Sequence, residues 1–408
     1  MCKDILRRLP IKHLAFTSNY QLLSFGKLRL ISNLTMKYYL IAGEASGDLH
    51  ASNLMKALLQ VDKNAQFRFW GGDLMQEVGG TQVKHYKDMS FMGFWEVIKN
   101  LKTLTGFIKI CKTDIQSYQP DAVILVDYAG FNLRIAAFAK SIGIPTHFYI
   151  APKVWAWNEK RVIKLKKYVD HLYVIFPFEK PFFENKHQYP VHFVGNPLQD
   201  VISNRKPIDE ATFREKYHLG DKPIIALLPG SRTQEILHML PLMLKMSTHF
   251  KDYQWVIAGA PNREFEFYKP FMLDYKVGFV PNQTYDLLSI SYAALVTSGT
   301  ATLETALFKV PQVVCYHSSL LSYRIAKYLV KDLKYISLVN LVMDTPVVTE
   351  LIQSDFNEIL LLKELQKILE TETRAKMFEN YRLLEEKLGG SGASQNVAHI
   401  IWQSLSES

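Results

Sequence analysis

Short runs of almost unbroken apolar and aromatic residues recur along residues 38–317, each followed by enough chain for a crossover helix. The first series reads YYLIAG (38–43), FRFWGG (67–72), AVILVDY (122–128), THFYIAP (146–152), LYVIFPF (172–178) and VHFVGN (191–196). A strand with one face in water alternates apolar and polar residues. These runs do not, so they predict parallel strands covered by helices on both faces. The polar stretch 197–222 then interrupts the pattern. A second series follows: IIALLPG (224–230), YQWVIAG (253–259), YKVGFV (275–280), AALVTSG (293–299) and QVVCYH (312–317). The fold class expected is α/β, with two Rossmann-like doubly wound domains facing each other across a cleft, plus C-terminal helices. The expected boundaries are 37–200 and 223–388, with a linker at 201–222 and a last helix in 389–408. Residues 355–388, periodic in Leu and Ile and stopped by KLGGSGAS, read as a long helix or helix pair. The layout alone would suit an epimerase, a glycosyltransferase or a binding protein.

Composition narrows the partners. The chain has 408 residues, enough for two ordinary domains, and its formal net charge of +9 suits an anionic partner. Cys2, Cys111 and Cys315 form no CxxC pair, which argues against a disulfide framework or thiolate metal site and suits a cytosolic-type compartment. No run is long enough for a spanning helix. Residues 1–36, basic and without a signal-peptide core, read as a disordered or misassigned extension, or else as a basic membrane-surface arm; Met36 precedes the first strand directly.

Two strand ends in the second series are built for an anion. LLPGSRTQE (227–235) gives Gly230 for a tight turn, Ser231 as a cap and Arg232 in the first turn of a helix. An arginine there opposes the helix dipole but can grip phosphate bidentately; the alternative is a surface pair with Glu235. In TSGTATLE (297–304), Ser298, Gly299, Thr300 and Thr302 offer amides and hydroxyls to a diphosphate. Glu304, about a turn further on, would accept ribose hydroxyls. Read as structure only, these are cap and first-turn residues. Neither a GxGxxG nor a GxxxxGK[ST] pattern is present.

The first series carries carboxylates at its strand ends. GEASGDLH (43–50) holds Glu44, Ser46 and Asp48 before an apolar helix. ILVDYAGFN (124–132) puts Asp127 at a strand carboxyl end, followed by Asn132. A carboxylate so placed is a candidate general base for a sugar hydroxyl, or a structural acid binding loop amides. APKVWAWNEKR (151–161) adds Lys153, Trp155 and Trp157, as ligand contacts or core anchors. The cluster Phe91, Met92, Phe94 and Trp95, leading into an amphipathic stretch with lysines at 99, 102, 109 and 112, suits an acyl-chain pocket or an anionic membrane surface. The basic run Lys160–Lys167 suits the same surface. No nucleic-acid module appears.

These motifs together resemble the bacterial lipid-A-disaccharide synthase family, over essentially residues 37–408. The matching pieces are GEASGD (43–48), MGFWEV (92–97), DYAGFN (127–132), PKVWAW (152–157), FPFEKPFF (176–183), GNPLQD (195–200), LLPGSR (227–232) and SGTATLE (298–304). The resemblance implies the GT-B fold and a glycosyltransferase of family 19. Its donor would be UDP-2,3-diacylglucosamine and its acceptor 2,3-diacylglucosamine 1-phosphate. The products would be UDP and the lipid A disaccharide 1-phosphate of lipopolysaccharide synthesis. It further implies peripheral association of a cytoplasmic enzyme with the inner membrane, and no metal or other cofactor. UDP would sit with Arg232, the Ser298–Thr302 loop and Glu304; acceptor and catalytic groups would sit around Glu44–Asp48 and Asp127. Many relatives carry D-x-x-D-F-N where this chain has Gly130, leaving Asp127 as that motif's only carboxylate. The base would be Asp127, or Glu44 or Asp48. Gly195-Asn196 replaces a common GH pair, and Ala151 and Lys153 stand where serines are common.

The implied chemistry is an inverting displacement: a carboxylate removes the acceptor hydroxyl proton as that oxygen attacks the anomeric carbon opposite UDP. Two rivals need fewer parts. A UDP-N-acetylglucosamine 2-epimerase-like enzyme would need neither acceptor nor acyl pocket, and a non-enzymatic membrane-surface module would leave the nucleotide-suited strand ends without purpose.

Overall fold

A computed structural model describes residues 35–88, 101–261, 263–318 and 334–407. Of the extension expected at 1–36, residues 1–34 lie outside the described residues, as does the cluster Phe91, Met92, Phe94 and Trp95.

The first sheet contains β1 (Lys37–Ala42), β2 (Gln66–Gly71), β3 (Thr81–His85), β4 (Ala122–Val126), β5 (Thr146–Tyr149), β6 (His171–Val174) and β7 (His192–Phe193). Their order is β3-β2-β1-β4-β5-β6-β7. The second contains β8 (Ile224–Leu228), β9 (Gln254–Gly259), β10 (Val277–Pro281), β11 (Ser291–Thr297), β12 (Gln312–Tyr316) and β13 (Thr349–Ile352), in the order β10-β9-β8-β11-β12-β13. In both sheets the chain runs outward from one central strand, returns, and continues outward on the other side. That reversal is the hallmark of a doubly wound sheet, and the crevice outside its strand ends is where such folds bind ligands. The reversals fall between β1 and β4 and between β8 and β11. Both junctions are parallel, and Ala42 pairs with Val126 as Leu228 pairs with Val296.

The strands are apolar throughout because helices cover them. Every residue of β4 and β8 is buried. In the second sheet Ile224, Ala226 and Leu228 pack with Val256, Ala294 and Val296, and with Leu287 from the helix Thr284–Ser289. Each fully buried aliphatic side chain of leucine or isoleucine size contributes about 2 kcal/mol of hydrophobic stabilisation.

By Cα proximity the chain divides into two compact units. Among the described residues, one holds those within 35–149, 168–170 and 395–407, the other those within 150–167 and 171–394. The polar stretch 197–222, expected to lead through a short helix, forms two: Pro197–Ser203 and Glu210–Lys216, capped by Asn196 and Asp209. Residues 355–388 give the helix pair Glu358–Leu369 and Thr371–Lys387, and the chain then turns through Gly389 and Gly390 at φ 91° and 70°. Two strands escaped the apolar criterion. β3 (TQVKH) and β13 (TELI) lie at sheet edges and are only partly buried, so they tolerate polar residues on both faces. The amphipathic stretch entering at 101 continues as a helix to Tyr118, beyond the expected end at 112. No described helix is long and apolar enough to cross a membrane.

Candidate active site

Strand register puts the sequence motifs side by side. GEASGD and DYAGFN leave the adjacent ends of β1 and β4, while LLPGSR and SGTATLE leave the adjacent ends of β8 and β11. Both pairs therefore sit at a strand-order reversal.

At the first reversal the backbone is strained. Asp127 and Tyr128 adopt φ of 46° and 45°, a conformation that costs a residue with a Cβ roughly 1 kcal/mol or more each. The turn is held from below. Buried Asn132 donates through Nδ2 to the carbonyls of Asp127 at 2.8 Å and Val126 at 3.3 Å, and the Asp127 amide donates to Tyr149 O at 3.0 Å. Asp127 itself is half-buried where β4 passes into the helix Ala129–Ser141. The Tyr128 ring lies over Gly43, where an added Cβ would come within 2.3 Å of it; only glycine fits there. Glu44 is exposed, accepts from Ser46 Oγ at 3.2 Å, and its charge, after burial, helps raise the Tyr128 hydroxyl above its ordinary range. Glu44, Ser46 and Asp127 thus belong to one neighbourhood. At Gly130 an added Cβ would meet nothing within 4 Å, so no steric demand fixes that glycine.

Asp48 behaves differently from the other two acids. Only 3% exposed, it accepts from the amides of Gly72 at 2.6 Å, Leu74 at 3.1 Å and Met75 at 3.3 Å, tying the start of the helix Asp73–Val78 to its own helix. Both of its oxygens serve this junction. Asp48→Ala is expected to lower the unfolding free energy by about 3 kcal/mol, because it leaves buried amide donors unmatched. Urea denaturation checks this; unchanged stability with lost activity would return Asp48 to the chemistry.

The loop after β5 holds Lys153 and Trp155. Lys153 is exposed. Trp155 is half-buried, with its ring edge-on to Phe178 at 4.8 Å, and its indole Nε1 donates to Glu179 Oε1 at 2.9 Å. Glu179 is fully buried, and its Oε2 accepts from the amides of Ile175 at 3.0 Å and Phe176 at 2.9 Å. Burial pushes its carboxyl up to about 7 against these hydrogen bonds and the nearby Lys153 charge. Sequence reasoning quoted FPFEKPFF without singling out this residue. The available signal was an acid set among aromatics directly after a strand, where burial demands partners. Trp157, by contrast, is 53% exposed with the Arg161 guanidinium 4.6 Å above its ring.

At the second reversal, Gly230 turns at φ 102°, and the Glu235 carboxylate folds over it so closely that a Cβ would lie 2.6 Å from Oε2. Arg232 is the N-cap residue of the helix Thr233–Lys245, one step earlier than expected, and Ser231 does not cap. Glu235 Oε2 instead accepts from the amides of Ser231 and Arg232, both at 3.2 Å. The Arg232 side chain is 83% exposed and pairs with Glu235 Oε1 at 2.8 Å.

After β11, Ser298 Oγ donates to Ile336 O at 3.0 Å, and the helix Thr300–Leu307 begins past Gly299. Thr300 and Gly299 are exposed. Thr302 is fully buried and donates to Gly299 O at 2.8 Å, so its hydroxyl shapes the turn from inside rather than lining its outer face. Glu304 accepts from Tyr285 OH at 3.1 Å, and burial raises its carboxyl above the usual range. The Tyr285 ring is in turn covered by Arg205, which pairs with Asp286.

The model of the lipid-A-disaccharide synthetase family matches residues 38–401. The lipid-A-disaccharide synthase of Coxiella burnetii (strain CbuG_Q212) is 34% identical over 368 residues, covering 89% of this chain and 96% of its own. That of Syntrophus aciditrophicus (strain SB) is 36% identical over 367 residues, covering 88% and 95%. Among solved structures, a putative UDP-N-acetylglucosamine 2-epimerase from Listeria monocytogenes superposes with a TM-score of 0.66 at 13% identity, covering 92% of this chain and 98% of its own. The S. aureus MnaA–UDP structure gives 0.64 at 15%, covering 88% and 94%. At such identity the likeness shows the doubly wound fold alone.

Proposed function

The chain belongs to the lipid-A-disaccharide synthetase family and is a glycosyltransferase of lipid A biosynthesis, and from this premise we propose its substrates and the residues that handle them. The donor is UDP-2,3-diacylglucosamine and the acceptor 2,3-diacylglucosamine 1-phosphate. UDP occupies the strand ends of β8 and β11, and the acceptor sugar those of β1 and β4. The observation that carries this reading is the pairing of the motifs: one anion-suited pair and one carboxylate-bearing pair, each at the reversal of its own sheet.

Asp127 takes the proton from the attacking acceptor hydroxyl, with Glu44 as its nearest substitute; Asp48 supports the loop instead. As the hydroxyl oxygen bonds to the anomeric carbon, the bond to the UDP oxygen breaks and charge grows on the diphosphate. Arg232 and the amides around Gly299 and Thr300 stabilise that charge. Glu304, steadied by Tyr285, accepts from ribose hydroxyls.

The enzyme works at an anionic membrane surface, on the cytoplasmic side of the inner membrane. The helix Arg161–Tyr168 supports this, since Ile163 is 72% exposed among Arg161, Lys164, Lys166 and Lys167. Mixing the full chain with both lipid sugars tests the substrate assignment. UDP and a disaccharide of the summed mass less UDP should appear in equal amounts. Turnover of the UDP-sugar without acceptor would favour the epimerase reading.

A further inference from the structure

Glu179 joins two separate stretches of chain through three N–H donors: the Trp155 indole from the loop after β5, and the Ile175 and Phe176 amides from the segment after β6. It does so fully buried. A carboxylate is a costly choice for such a place, because a neutral side chain could fill the same volume without desolvating a charge. Three donors aimed at one group are what make the ionised form tolerable there. The ring it holds is packed edge-on against Phe176 and Phe178, which are stacked on each other at 5.4 Å, so Trp155 has one orientation while the hydrogen bond lasts.

We propose that Glu179 is a positioning residue for the sugar-transfer site: its carboxylate fixes Trp155, and through it the 151–157 loop, in the form that meets the acceptor. This rests on the proposed function and on taking Trp155, which the 151–161 motif offers as a ligand contact or core anchor, as a contact of the acceptor. The hold is proton-linked. Neutral Glu179 has a hydroxyl hydrogen to place among groups that only donate, so gaining a proton weakens its grip on the indole. Burial sets that change near pH 7, with the carboxylate form above it and the acid below. Lys153, on the same loop as Trp155, favours the carboxylate, and the adjoining Lys180 is exposed. The loop is therefore fixed in the alkaline limb and released in the acidic one.

The test uses the full chain and the fluorescence of Trp155, taken as wild type minus Trp155→Phe, titrated from acid to alkaline pH. A single transition with a midpoint near 7 is expected, and it should vanish in Glu179→Gln. No transition in the difference signal, or one that survives in Glu179→Gln, overturns the proposal. If Glu179→Gln does not fold, Glu179→Asp takes its place, and a transition with an unchanged midpoint in that variant overturns the proposal. Kinetics separate this inference from the reading beneath it. Glu179→Gln should raise the acceptor KM about tenfold while UDP affinity is unchanged; a fall confined to kcat would contradict a positioning role. If the fluorescence transition appears but Trp155→Phe leaves the acceptor KM untouched, the proton linkage stands and the acceptor-contact reading fails.

Discussion

Asp127→Asn is expected to reduce transfer by roughly 10³-fold while UDP binds as before, the scale of loss when a positioned general base is removed. The backbone accepts this substitution. Asp127 and the next residue occupy left-handed backbone, and asparagine accepts that conformation better than almost any residue except glycine. The Asn132 bond to the Asp127 carbonyl and the Asp127 amide bond to Tyr149 involve only backbone atoms of residue 127, so both persist in the variant. The substitution removes the carboxylate's ability to take up a proton. Turnover measured at saturating acceptor, beside UDP affinity by calorimetry, checks the result. Near-normal turnover would move the base to Glu44, the exposed acid across the Gly43–Tyr128 contact.

Arg232→Ala is expected to lower kcat by roughly 10²-fold, in line with losing one preorganised group at a developing charge. The side chain is 83% exposed and its only described partner is Glu235, so its removal should not disturb the fold. Reaching a diphosphate requires leaving Glu235. An exposed pair of this kind is worth about 1 kcal/mol or less, so the exchange is easy. Glu235 keeps its place regardless, because the amides of Ser231 and Arg232 hold its other oxygen. Arg232→Lys should fall between the two, keeping the charge but not the planar fork. Steady-state kinetics at saturating and limiting donor separate the effects; unchanged values in both regimes would remove Arg232 from the leaving-group role.

The sequence made the central strands legible because burial on both faces leaves a continuous apolar run, as in AVILV and IIALL. It made the motif ends legible because strands of such sheets stop at glycine and charged residues. The edge strands TQVKH and TELI were invisible to the same criterion, since half-exposed backbone can carry any residue. Side-chain direction was the other hidden quantity. Thr302 and Asp48 stand inside motifs that look ligand-facing, yet both turn inward to satisfy backbone groups. Composition and spacing do not encode which way a hydroxyl or carboxylate points at a helix start. Glu179 was missed for the converse reason: its importance comes from donors at positions 155, 175 and 176, and only tertiary folding gathers them.

In the proposed function UDP belongs to the β8/β11 reversal and the acceptor sugar to the β1/β4 reversal. Amide hydrogen exchange of the full chain with and without UDP tests this directly. Protection is expected in 229–235 and 297–304, with none in 43–48 or 127–132. Protection in the second pair of segments but not the first would contradict the account.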